Sequence, residues 1–472
     1  MSQSNPVIPW RPAFATRQEL RQQRGLPFAE HLPQGLIHRT AKRLGVSFRQ
    51  RIFTPAVTLW TFLSQVLDHD HSCRQAVARL LAFRSACGLR PCSPDTGAYC
   101  KARARLPEEL LQELTRYTGR GVAEQAPAAW RWKGRAVKVA DGTGLSMPDT
   151  PANQKAYPKS KNLRAGVGFP LLRLVVVFSL ATGTVLEAAL GRRSGKGNGE
   201  QSLFRSLWQH LQPGDVLLAD RLYGDFFTLA RAQARGIDVV TRPAAGRAPL
   251  CFQGHRVDNQ PICWIKPEQP PWLGRREYDR LPHHLYLRAV RVLVRQPGFR
   301  TRRLVLVTTL LDAAAVSGAD LADLYRRRWQ AELYLRSLKQ SLQMDILRGH
   351  SPAMVRKEVW AHLLVYNLVR LIMVQAALAA GVRGDEVSFT GALQTVNAFL
   401  PHLRAARTAE EAAGLCAVLL GAIAEHRVGD RPDRYEPRVV KRRPKNFPRL
   451  KEPRAEARRR LLKGAKRAGK KR

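Results

Sequence analysis

Residues 136–141, AVKVAD, and 215–220, DVLLAD, are two short aliphatic runs that each close on an aspartate. Runs of this length, bounded by Gly and Pro turns, read as buried strands. Around them lie further elements of both kinds. LLRLVVVFSLATGTVLEAALG (171–191) reads as two strands joined at Ala181-Thr182-Gly183-Thr184. SLFRSLWQHLQPGD (202–215) reads as a helix stopped by Pro213-Gly214, FFTLARAQARG (226–236) as a helix, and IDVVTR (237–242) as a strand. RLVLVTTLLD (303–312) resumes the strand pattern, with helices expected at Leu321–Gln343 and Val355–Ala380. The fold class is α/β, with acids at strand ends.

Outward from this core, residues 1–130 read as a helical domain. Thr54-Pro55 suits a helix cap and first turn, and SCRQAVARLLAF (72–83) repeats apolar residues at helical spacing. GAYCKARARL (97–106) places Lys101, Arg103 and Arg105 on a following helix. A helix-turn-helix DNA reader and a plain bundle with a solvated basic face both fit. The α/β core occupies 131–242 and 303–430. It is interrupted by 243–302, rich in Pro, Gly, Arg and aromatics, with strand-like HLYLRAVRVLVRQ (284–296). Residues 431–472 form a basic tail.

The chain has 472 residues, with 79 Lys and Arg against 37 Asp and Glu, a formal net charge of +42. A field of that size draws polyanions, nucleic acid above all. The stretch from Arg438 to Arg472 holds 17 basic and 2 acidic residues, so most of the excess belongs to the body. The seven cysteines, Cys73, Cys87, Cys92, Cys100, Cys251, Cys263 and Cys416, lack the pairing of a zinc site or a disulfide framework. GRRSGKGNGEQ (191–201) lacks phosphate-loop spacing. The N-terminus MSQSNPVIPWRP is polar and proline-broken, unlike a secretory leader. Leu363–Val382 is apolar enough to suggest a membrane span, but Asn367, Arg370 and Gln375 make it a core helix. The expected location is the cytoplasm.

Three acids stand out. Asp141 and Asp220 end their strands, where a sheet can hold carboxylate oxygens rigidly, although Asp-Gly at 141–142 is also an ordinary turn pair. In LYRRRWQAELYLRSLKQSL (324–342), Tyr325, Arg328, Glu332 and Lys339 follow at intervals of three, four and seven. On a continuous α-helix these share a sector of roughly 60°. An Arg–Glu pair at i,i+4 is a common stabilising device, but it does not account for Tyr325 and Lys339.

Asp141-Gly142-Thr143, Asp220-Arg221-Leu222-Tyr223 and Tyr325-x-x-Arg328-x-x-x-Glu332-(six)-Lys339 together resemble the bacterial insertion-sequence transposases of the IS-four family. CSPDTGAYCKARARL (92–106), TTLLD (308–312) and Tyr366-Asn367-Leu368 add to the likeness, which runs from about residue 50 to 455. The resemblance implies an RNase H-like core with a β-rich insertion. It implies catalysis and metal binding by Asp141, Asp220 and Glu332, and cut-and-paste movement of DNA flanked by inverted repeats. The cofactor implied is Mg²⁺ or Mn²⁺, as two ions, since hard cations take carboxylate oxygens and a pair serves phosphodiester cleavage. Tyr325, Arg328, Lys339, Arg221 and Tyr223 would contact DNA. Partners would be double-stranded transposon ends and target, with a homodimer pairing two ends. Family members stack a flipped base on an aromatic of the insertion, for which Trp264 and Trp272 are the candidates. Glu200 sits where related sequences have a glutamate, and stabilisation of its helix N-terminus accounts for it. A nuclease of the same fold and a non-catalytic DNA-binding regulator are the competing readings.

Overall fold

The computed structural model describes residues 32–48, 51–159, 167–195, 197–244, 258–293, 303–406, 408–429 and 450–468. The N-terminal stretch read as lacking a leader, Cys251 and much of the tail lie outside the described residues.

Five helices come first: α1 (Gln34–Arg43), α2 (Pro55–Leu67), α3 (Cys73–Ala86), α4 (Gly97–Arg105) and α5 (Glu108–Glu124). Thr54 caps α2 by accepting from the Val57 N–H, with Pro55 in the first turn. Residues 87–96 separate α3 from α4, longer than the short turn of a helix-turn-helix. Arg103 is drawn into the bundle, where it donates to Gln65 Oε1 at 2.8 Å and lies over the Phe62 and Tyr99 rings. Lys101 and Arg105 stay exposed.

The strands are β1 (Val137–Ser146), β2 (Leu171–Ser179), β3 (Val185–Arg192), β4 (Val216–Leu218), β5 (Asp238–Thr241), β6 (Asn259–Ile265), β7 (His284–Leu293) and β8 (Arg303–Thr308). They form an eight-stranded sheet in the order β3-β2-β1-β4-β5-β8-β7-β6. β1, β2 and β3 pair antiparallel, with Gly183 at φ 72° in the hairpin between β2 and β3. β4 runs parallel to β1 and β5, and β8 and β7 return antiparallel. Short helices α6 (Pro151–Ala156), α7 (Glu200–Arg205) and α8 (Phe226–Ala234) connect the core strands. The expected insertion supplies β6, β7 and a helix between them, α9 (Arg275–Arg280). Its strands extend the core sheet rather than forming a sheet of their own.

Two sequence expectations are corrected. Asp141 does not end its strand: β1 continues to Ser146, held by β2, with Asp141 opposite Val176. The helix expected at Leu321–Gln343 is broken into α10 (Gly318–Arg326) and α11 (Trp329–Arg336), followed by a π-helical turn at Ser337–Ser341. Between α10 and α11 the Arg328 N–H bonds the Tyr325 carbonyl and the Ala331 N–H bonds the Arg328 carbonyl, so one turn tightens to three-residue spacing.

Alternation along β1 and β4 divides the core. Val137, Val139, Val216 and Leu218 face Leu321, Leu324 and Ala331 on one side of the sheet. Ala140, Leu217 and Ala219 face Phe204, Trp208 and Tyr223 on the other. The 28-residue α12 (Pro352–Ala379) is the apolar helix noted above; 89% of its most apolar window is buried in the protein, as a core helix should be. It packs with α2, α5, α13 (Phe389–Ala405) and α14 (Ala409–Glu425), and residues of α2, α5 and β1–β3 share its core. The first helices are thus joined to the α/β part by a common interior. In the tail, α15 spans Arg454–Ala468.

Asn367 of α12, fully buried, fastens this interior. Its Nδ2 donates to the Thr115 and Val185 carbonyls at 3.0 and 2.9 Å, and its Oδ1 accepts from the Val185 N–H at 2.8 Å. α5 comes close there because Gly119 has no side chain; a Cβ would stand 2.0 Å from the Val185 oxygen. Asn367→Ala leaves those backbone groups unpaired and is expected to cost roughly 2–4 kcal/mol, read from denaturant midpoints at constant slope.

Candidate active site

The parallel register of β1 and β4 ends at Val139 beside Leu218. Two residues beyond that pair stand Asp141, still within β1, and Asp220, just past the end of β4. By alternation both side chains leave the sheet on the side of α10 and α11. Asp220 is fixed by its surroundings: Oδ1 accepts the Leu222 N–H at 2.8 Å, capping a 3₁₀ turn at Arg221–Tyr223, and its carbonyl accepts the Thr241 hydroxyl at 2.6 Å. Asp141 Oδ1 accepts the Gly142 N–H at 2.8 Å. Burial pushes the Asp141 carboxyl up to about 6, and the charges of Glu200 and Asp220 add to this against the Gly142 N–H and Arg328. An acid raised chiefly by burial, with two further carboxylates beside it, is the kind of perturbed group found in functional sites.

Glu332 comes from α11, which packs on β1. Arg328 Nη2 donates to its Oε1 at 2.8 Å. Tyr325, 8% exposed, lies beneath, its phenol held protonated by burial. The tightened turn at Arg328 keeps Tyr325, Arg328 and Glu332 together, whereas the π-helical turn carries Lys339 around the axis relative to a regular helix. Among the described residues no three His, Cys, Asp or Glu side chains are gathered closely enough to hold a metal ion. Carboxylate oxygens suit a hard cation, but Glu332 here is engaged by Arg328.

Other expected residues are placed differently. Arg221 is exposed, but Tyr223 is fully buried against Phe204 and gives its hydroxyl to Glu200 at 3.0 Å. Tyr223, expected to meet DNA, thus has its ring and hydroxyl turned to the protein interior here. Trp264, 7% exposed, belongs to the apolar cluster under β7 and β8. Trp272 is 42% exposed, with Phe227 at its edge and the Arg205 guanidinium 3.5 Å over its ring. Of the two tryptophans only Trp272 offers a surface. Arg242, at the end of β5, was missed from sequence: burial lowers its pKa, and Arg221, Tyr325, Arg328 and Asp220 surround it. Its position straight after IDVVT, on the strand beside DVLLAD, was the available signal. None of the six described cysteines is in a disulfide.

Because Asp141 holds its proton more tightly folded than unfolded, its contribution to stability is present at low pH and is lost as pH rises from about 4 to about 6. Without divalent metal, Asp141→Asn should therefore be more stable than the parent above pH 6, by on the order of 2 kcal/mol. The gap should close below pH 4 in paired thermal melts.

Residues 132–368, half of the chain, match the Transposase DDE domain family and span all three acids. The chain is 26% identical over 428 residues to transposase InsG for insertion sequence element IS4 of Escherichia coli K12, covering 89% of this chain and 92% of that one. It is 38% identical over 65 residues to the transposase for insertion sequence element IS421 of Escherichia coli, 14% of this chain and 18% of that one. Among solved structures, the piggyBac transposase synaptic complex with hairpin DNA aligns over 86% of this chain and 87% of that chain, at TM-score 0.41 and 10% identity. The chain belongs to the DDE transposases, in the group of the IS4 element.

Proposed function

We propose that Asp141, Asp220 and Glu332 are the catalytic, metal-holding acids of this transposase, and that it cuts and rejoins double-stranded DNA at the inverted-repeat ends of its element. The observation that supports this is the register of β1 with β4, which pairs Val139 with Leu218, two residues before Asp141 and Asp220, in the sheet on which the helix of Glu332 packs. The strand order β3-β2-β1-β4-β5, an antiparallel meander followed by two parallel strands, supports an RNase H-like core extended by the insertion. When bound, Mg²⁺ or Mn²⁺, as a pair, would activate the attacking hydroxyl and offset charge on the leaving oxygen.

The chain's own residues bind and orient. Arg221, Arg242 and Arg328 offer guanidinium groups to backbone phosphates around the acids, and Lys339 offers its ammonium from the π-helical turn. Tyr325 packs beneath Arg328 and sets its direction, while Trp272, half-exposed with Arg205 over its ring, would take an unstacked base once that guanidinium moves to a phosphate. A homodimer would pair two ends, and target DNA would enter the same site. The working compartment is the cytoplasm.

The Arg328–Glu332 pair shapes the order of events. An i,i+4 pair with side chains 20% and 37% exposed is worth about 0.5 kcal/mol, so a DNA phosphate can draw Arg328 away and release Glu332. Arg328→Ala should consequently bind Mn²⁺ at lower concentration than the parent without DNA, while losing affinity for end DNA, both read by titration.

The direct test is cleavage of a labelled duplex carrying the element's terminal repeat. With Mg²⁺, the parent should nick it. Asp141→Asn, Asp220→Asn and Glu332→Ala should each lose on the order of 10³-fold or more in rate while still binding the duplex. A parent that binds the end but cuts with no divalent metal would make the chain a DNA-binding regulator instead. Cleavage that never proceeds to strand transfer would make it a nuclease.

A further inference from the structure

Glu200 opens α7, on the side of the sheet away from Glu332, yet its carboxylate lies against the segment that carries Asp141. A Cβ on Gly142 would stand 2.4 Å from Glu200 Cδ and 2.6 Å from its Oε2, so the acid occupies the space that a side chain there would fill. Its Oε1 accepts the Tyr223 hydroxyl at 3.0 Å. Tyr223 is the last residue of the 3₁₀ turn that Asp220 caps, and its ring is clamped against Phe204 of α7. One side chain therefore touches the residue after Asp141 and, through one hydroxyl, the turn that begins at Asp220.

We propose that Glu200 is a positioning residue: a strut that ties the turn after β4 to Gly142 of β1 and so sets the separation of Asp141 and Asp220. β4 makes this necessary. Its ladder with β1 stops at Val139 and Leu218, and no β1–β4 pairing extends to the level of the aspartates. Beyond that point Asp141 is held by β2 alone, and Asp220 by its own turn and by Thr241. The Glu200–Tyr223 contact bridges the gap. Stabilising the N-terminus of α7 would need only an acid at this position. It would require neither the missing side chain at 142 nor the buried tyrosine hydroxyl.

This inference rests on the assignment of Asp141 and Asp220 as metal-holding acids, and its test separates the two. The full chain, bound to terminal-repeat duplex, would be titrated with Mn²⁺ and free ion followed by electron paramagnetic resonance. Asp141→Asn serves as the control for the assignment itself. Glu200→Ala should raise the half-saturating Mn²⁺ about tenfold or more, as loss of groups supporting metal ligands does. Tyr223→Phe, which removes one hydroxyl and keeps the packed ring, should shift it in the same direction. Glu200→Gln keeps an acceptor for that hydroxyl and should restore most of the affinity. Duplex binding without metal should be the same in all. If Asp141→Asn abolishes the Mn²⁺ isotherm while Glu200→Ala and Tyr223→Phe leave it unchanged, the strut is wrong and the assignment stands. If Glu200→Gln is as impaired as Glu200→Ala, the charge matters rather than the hydrogen bond, and the strut is again overturned. If Asp141→Asn binds Mn²⁺ as the parent does, the assignment itself fails.

Discussion

Three residues of β4, Val216–Leu218, pair in parallel with β1 on one side and β5 on the other, and all three are buried. The site depends on that short ladder. Its hydrophobic side chains meet helices on both faces of the sheet, so it cannot slip by a residue without turning Val216 and Leu218 away from their partners. A slip of one would also carry Asp220 to the opposite face. The apolar core thus fixes where the chain leaves β4 toward Asp220 relative to Asp141, whose carboxyl is raised first by burial and then by the charges of Glu200 and Asp220.

The third acid is held less firmly. Glu332 sits on α11, just past the tightened turn that follows α10, and is paired with Arg328. Basic groups crowd the same opening: Arg221, Arg242 and Arg328 all stand near Asp220 or Tyr325. Acids directed to cations and guanidinium groups directed to phosphates therefore share one space. On the proposed assignment each would neutralise the other until nucleic acid and metal arrive together, which would couple DNA binding to assembly of the site.

Much of this was legible from sequence because the strongest patterns coincide with buried elements. VKVA and VLLA are strands because both of their faces are covered, and the hairpin at Gly183 follows from a turn that needs positive φ. The Tyr325–Arg328–Glu332 spacing led to residues that do meet. What failed did so for tertiary reasons. Asp141-Gly142 looks like a turn, but β2 runs long enough to carry β1 through it. The break at Arg327–Arg328 carries no Pro or Gly signal; Arg327 is engaged there by Asp385 at 3.5 Å, a partner 58 residues further along the chain. Tyr223 looked like a surface residue beside an exposed arginine, and only the packing of α7 shows its ring turned inward. Glu200 and Arg242 escaped weight because single charged residues at element ends are common.

The most direct measurement is the position of Mn²⁺, located by anomalous scattering in crystals of the full chain bound to its terminal-repeat duplex. The account predicts ions ligated by Asp141, Asp220 and Glu332, with Arg328 moved from Glu332 to a backbone phosphate. Ions bound elsewhere, or Glu332 still paired with Arg328 in a metal-loaded complex, would contradict it.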